Sequence, residues 1–341
     1  MPLSCTEKIL SNDYADWVID FELTEELMRL DNTGVDYCYR QVDRILGLVF
    51  AKRNQMDTIG LLNYSYQQIP VLLGLQEFST EEVNTVFDPS PLFNSGITQV
   101  QSTPLSLSGK GTILVFIDTG IDYTNPVFRN PDGSSRILAI WDQTIQNGTA
   151  PEGFYYGSEY TKEMLDEALA SENPYQIVPS RDENGHGTTL ASIACGSRMS
   201  GSSELENGST ANGGNNSRVA RANYTGVAYE ADILVIKLKE CKPYLRDYYL
   251  IPTDVPAYQS TDIIMALEYA DQFARSFFRP VIFCLALGTS YGSHRGTTPL
   301  STYINRLGEK RSRVFVIGGG NEGNTSHHYF GSLSPISSAQ G

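Results

Sequence analysis

The chain has 341 residues and 40% hydrophobic content, enough for one large α/β domain beside a smaller one. Its 25 Lys and Arg stand against 39 Asp and Glu, a formal charge of -14, and no basic cluster follows a helix, so nucleic acid is not expected as a partner. No window reaches membrane-spanning length, and the first residues, MPLSCTEKILSNDYADWVIDF, lack a basic segment followed by an apolar one, so no membrane association and no secretory signal are expected.

Residues 1 to about 85 read as a compact α+β unit. DWVIDF, YCYRQVD, ILGLVFAK and IPVLLGLQ are strand-like, with helical candidates at Thr24 to Leu30 and Met56 to Leu62. No cluster here suggests chemistry, so a structural or inhibitory job is expected. Five cysteines, Cys5, Cys38, Cys195, Cys241 and Cys284, are odd in number, widely spaced and without a C-x-x-C. They are expected to be reduced thiols rather than a disulfide frame or zinc site. The Pro- and Ser-rich run Phe87 to Leu107 reads as a linker, dividing the chain into units 1–90 and 91–341.

The second unit opens on GTILVFIDTGIDYTNP, residues 111–126. Ile113 to Ile117 is a continuous apolar run, as in a strand buried on both faces of a parallel sheet, and Asp118 stands at its end. That is where open α/β sheets place ligands and chemistry. Taken alone, Asp118 can equally close a turn or cap a helix. A pepsin-like pair of aspartates needs a second D-T-G or D-S-G, which the chain lacks.

RILAIWDQ, Arg136 to Gln143, is a further strand candidate, followed by an insert over about 144–180 in which YTKEMLDEALAS has helical spacing. DENGHGTTLASIACG, residues 182–196, places His186 between two glycines and ahead of small residues suited to a helix packed on a sheet. A helix N-terminus disfavours imidazolium and would help keep this side chain neutral and basic, although an isolated histidine is more often a cap or a core residue. Residues 197–223 are a Ser/Gly/Asn-rich loop. GVAYEADILVIKL returns to a buried-strand pattern, and 239–259 is a third irregular insert. Ser260 is a plausible N-cap for a helix whose core face is Ile263, Ile264, Leu267, Ala270, Phe273, Ala274 and Phe277. The strands VIFCLALGTSYG and RVFVIGGGNEGN end in glycines that admit a bound chain, and the Asn321 amide could donate into the Asp118 crevice. A phosphate-binding loop is disfavoured, since neither the P-loop lysine nor the dinucleotide spacing is present.

FIDTGID at Asp118, NGHGT at His186, GVA at Gly226–Ala228, ALG at Ala286–Gly288 and GGGNEG around Asn321 together resemble the subtilisin-like serine proteases, in family order. FIDTGIDYTNPVFRNPDGSSRILAIWDQTI, FYYGSEYT, ENPYQIVPS, KPYLRDYYLIP, NEGNTSHHYFG and IPVLLGLQ are similar to the Csp-type subtilases of spore-forming clostridia, which act in germination. The resemblance implies a doubly wound, mainly parallel α/β sheet with helices on both faces, preceded by a small α+β prodomain. That prodomain would aid folding, lay its tail through the active site and be cut between Gln76 and Gly96.

It also implies roles. Asp118 would orient His186, the general base; Asn321 would donate to the oxyanion; Ala286, Leu287, Gly288, Gly319 and Gly320 would bind substrate. A protein or peptide substrate and the chain's own prodomain are the expected partners, with no cofactor or metal and a cytoplasmic or spore-associated location. Thr189 replaces the second histidine of HGTH and Tyr229 the proline of GVAP. The nucleophile is the larger departure: Ser326, Ser332, Ser334, Ser337 and Ser338 follow Asn321, and none stands in a G-T-S context. The expectation is an endopeptidase whose serine lies outside these residues, so that the chain as given is inactive. The alternative is a pseudoprotease that binds or regulates a partner.

Overall fold

A computed structural model describes residues 3–20, 30–32, 34–55, 69–76, 90–199, 225–292, 295–320 and 331. In the N-terminal unit, β1 (Tyr14–Asp20), β2 (Tyr37–Gln41) and β3 (Leu46–Lys52) form an antiparallel sheet in the order β1-β3-β2. A helix over Cys5–Leu10 precedes it, started by a capping box between Ser4 and Glu7. The run IPVLLGLQ yields β4 (Leu72–Leu75), which leaves this sheet altogether. The helices expected at 24–30 and 56–62 lie outside the described residues, apart from Leu30.

The main sheet comprises β5 (Ile113–Asp118), β6 (Ile137–Asp142), β7 (Ser158–Thr161), β8 (Asp232–Lys237), β10 (Val281–Leu285) and β12 (Arg313–Ile317). The short strands β9 (Tyr258–Gln259) and β11 (Leu287–Gly288) stand apart from it. Its order is β12-β10-β5-β8-β6-β7, with every pair parallel except β6 with β7. The continuous apolar run of β5 is explained by its central position. Ile113, Val115 and Ile117 enter one core with the Ser260–Arg275 helix, while Leu114 and Phe116 enter another with the Lys162–Ala170 and His186–Cys195 helices. Each such side chain, removed from water, contributes roughly 1.5–3 kcal/mol. Helices therefore cover both faces, as the resemblance implied. Among the described residues no helix is long and apolar enough to cross a membrane.

Several local expectations are corrected. Cys5 and Cys38 are disulfide-bonded, their Cα atoms 5.7 Å apart, because the first helix docks beside β2, whereas Cys195, Cys241 and Cys284 are buried and free. The stretch read as a linker holds two short helices, Ser90–Asn94 and Ile97–Gln101, the second tied down by the Gln101 amide donating to the Val227 carbonyl. The third insert contains a helix, Pro243–Tyr249. Ser260 is the first helical residue rather than the cap, and its hydroxyl accepts from the Val71 amide. Phe277 lies past the helix end and is exposed, since the turn after Arg275 carries it off the apolar face.

Candidate active site

Asp118 ends β5 next to the point where the strand order reverses: the chain runs from β5 out to β6 and the edge strand β7, returns to β8 beside β5, then crosses to β10 on the other side. A crevice opens at such a point. The Asp118 side chain is fully buried, and its Oδ1 accepts from the Thr119 amide at 2.7 Å. The same oxygen lies 2.7 Å from Nδ1 of His186, the first residue of its helix. Oδ2 is buried and has no hydrogen-bond partner among the described residues. Two glycines make this approach possible. Gly185 takes φ 85, a left-handed turn that suits glycine, and a Cβ on Gly187 would collide with the Gly120 carbonyl oxygen.

Asp182, which the sequence reading passed over, locks the two halves together. Its Oδ1 accepts from Thr119 Oγ1 and the Gly185 amide, both at 2.8 Å, and its Oδ2 accepts from the amide and hydroxyl of Thr188 at 2.8 and 2.6 Å. Thr119 Oγ1 accepts in turn from the Gly187 amide, and Thr188 Oγ1 from the Asp122 amide. Burial pushes the Asp182 carboxyl up, but the hydrogen bonds from Thr188, Thr119 and Gly185 outweigh it and hold the group below its ordinary value. The only sequence signal was an acid just ahead of a helix start, where it satisfies free amides.

The other ring nitrogen, His186 Nε2, lies 2.8 Å from the main-chain carbonyl oxygen of Gln76, 110 residues earlier in the chain. Strand β4, which leads into Gln76, fills the cleft between β9 and β11 as an antiparallel strand, pairing Leu72 with Gln259, Leu73 with Tyr258, Gly74 with Gly288 and Leu75 with Leu287. The Gln76 amide donates to the Ala286 carbonyl at 3.0 Å. Ala286, Leu287 and Gly288 thus hold an extended chain, and Gly319 and Gly320 line the same cavity as Gln76. Asn321 lies outside the described residues, as do Ser326, Ser332, Ser334, Ser337 and Ser338.

The Subtilase family model matches residues 109–337, two thirds of the sequence. The chain belongs to the subtilase family. Among solved structures it is similar to the Clostridium perfringens CspB protease, at 30% identity and a TM-score of 0.53, over 70% of this chain and 42% of that one. Fervidolysin from Fervidobacterium pennivorans, a keratinolytic enzyme related to subtilisin, aligns at 13% identity and a TM-score of 0.42, over 92% of this chain and 41% of that one. The chain therefore spans less than half the length of either structure. No curated protein matches it.

In this subtilase the surroundings of the imidazole favour its charged form, against the pull of the helix N-terminus. Burial does lower the His186 value, but the hydrogen bond to Asp118 and its charge, then the Gln76 carbonyl and the Asp182 charge, outweigh it and leave the group above its ordinary 6.5. Both ring nitrogens face acceptors, an arrangement that only the doubly protonated ring satisfies. A raised folded value stabilises the protonated state, so this contribution is fully present below pH 6.5 and is lost as pH rises through the folded value. Denaturant titrations are expected to show the chain more stable on the acid side of that window, with His186→Gln flattening the difference. An unchanged profile in that variant would contradict the assignment.

Proposed function

We propose that this chain carries the base, its orienting carboxylate and the substrate cleft of a serine endopeptidase of the subtilisin type. One observation supports it above all: a single imidazole is held between a buried carboxylate at 2.7 Å and the carbonyl of an extended peptide segment at 2.8 Å. In acyl transfer, His186 takes the proton of a serine hydroxyl and passes it to the leaving amine, while Asp118 holds the tautomer and stabilises the imidazolium. Asn321 donates to the oxyanion, a contribution of about 3 kcal/mol in the subtilisin from which that figure comes.

On this reading residues 1–90 are a prodomain, a chaperone and inhibitor of the unit 91–341, whose last strand is the first peptide the cleft receives. The nucleophilic serine is supplied by sequence outside these residues, and the substrate is a protein. The resemblance to the Csp-type proteases adds a role in spore germination. A pseudoprotease that uses the same cleft to hold a partner is the competing reading. A fluorophosphonate probe separates the two. Residues 1–341 alone are expected to stay unlabelled, whereas the protein carrying this chain with its serine is labelled. Labelling of a serine within Ser326 to Ser338 would overturn the placement of the nucleophile, and no labelling of either form would favour the binding role.

A further inference from the structure

The side chain of Gln76 forms part of the wall of a cavity of about 490 Å³, and its main-chain carbonyl faces His186. The fit is close at two points. A Cβ placed on Gly318 would overlap the Gln76 side-chain oxygen, and one on Gly288 would sit 3.0 Å from Nε2, so the planar amide lies against two bare glycine backbones. The walls also include the hydroxyl residues Thr289, Ser290 and Thr298, and among the described residues no Asp, Glu, Lys, Arg or His lines the cavity. A carboxylate or ammonium placed against this wall would meet no counter-charge, while an amide needs only neutral hydrogen-bonding partners. Three residues upstream, Leu73 is buried in the core that holds Tyr258, Ile263 and Leu287.

We propose that this cleft selects glutamine, cutting the chain's own Gln76–Glu77 bond and extended protein segments that carry glutamine with a large apolar residue three positions before it. This inference rests on the endopeptidase reading above and names its substrate class. In the net reaction the C–N bond between Gln76 and Glu77 breaks. Water gives its hydroxyl to the Gln76 carbonyl carbon, and the bond's electron pair leaves with a proton on the Glu77 nitrogen; the serine of the acyl intermediate is regenerated. Gly318 and Gly288 act here as specificity determinants, since any side chain at Gly318 fills the space the amide takes.

The test uses the protein that carries this chain with its serine. Its mature N-terminus is sequenced, and the processed enzyme is then given acetyl-Leu-Leu-Gly-Leu-X-aminomethylcoumarin with X as Gln, Glu, Lys or Ala. The expected result is a new N-terminus at Glu77 and a kcat/KM for Gln at least about tenfold above Glu and Lys, the range open to a pocket that rejects an unpaired charge. Gly318→Ala is expected to abolish that preference. Processing at another bond, or Glu and Lys cut as fast as Gln, overturns the proposal while leaving the endopeptidase reading intact. Processing at Gln76 that persists in His186→Ala overturns both, because a different protease would then be responsible.

Discussion

In the protein that carries this chain with its serine, His186→Ala is expected to abolish both self-processing and peptide cleavage, with a loss in kcat on the order of 10⁶-fold, the scale seen when the base of such a triad is removed. On the proposed reading His186 both accepts the serine proton and returns it to the leaving amine, so its loss removes the group needed at both steps. Asp118→Asn should cost less, on the order of 10⁴-fold, because it leaves the imidazole in place but offers a donor where an acceptor is needed at 2.7 Å from Nδ1. Stopped assays on refolded protein read both numbers. Equal, small losses for the two variants would mean that the 2.7 Å contact is structural and that the base lies elsewhere.

The second large effect concerns how the N-terminal unit is held. Lys242 is almost fully buried, and its ammonium donates to Asp16 Oδ1 at 2.5 Å and to the Tyr14 carbonyl at 3.0 Å. Asp16 Oδ2 accepts from the Gln259 amide at 2.5 Å, and the Asp16 main-chain amide donates to the Tyr244 hydroxyl at 2.8 Å. Burial pulls the Lys242 value below its ordinary 10.5 against the pull of Asp16. Removing one member strands a charge in the interior, so Asp16→Ala is expected to destabilise the assembled chain by about 3–5 kcal/mol. Adding Lys242→Met should recover most of that loss, because a neutral side chain of similar volume replaces the stranded ammonium. Urea midpoints measured for the two variants check this. A single-variant loss below about 1 kcal/mol would show that the pair is solvated and does not secure the unit. By contrast, the Arg40–Glu268 pair, with two contacts at 2.8 Å, and Asp43–Arg306 at 2.9 Å are more open and should each contribute less.

Much of this molecule was legible in its residues because elements are written locally. The apolar runs of β5, β8 and β10 marked buried parallel strands, since a strand covered on both faces has no polar side to show. The four strands described in the N-terminal unit and the helix beginning at His186 were visible for similar reasons, through side-chain period and turn glycines. Asp118 and His186 could be named from short motifs, because the turns that expose them require glycine at Gly120, Gly185 and Gly187.

The tertiary structure alone decided which distant groups meet. The resemblance implied a prodomain tail through the active site, but nothing local told that β4 would lie between β9 and β11, because an edge strand can pair with any exposed edge its tether lets it reach. The same holds for the Gln76 carbonyl at His186, for Cys5 beside Cys38, and for Lys242 beneath Asp16, 226 residues away. Such contacts are selected by loop closure and by complementary surfaces once the cores have formed. Sequence periodicity therefore specified the parts and their active ends, and packing brought the tail's carbonyl to the imidazole.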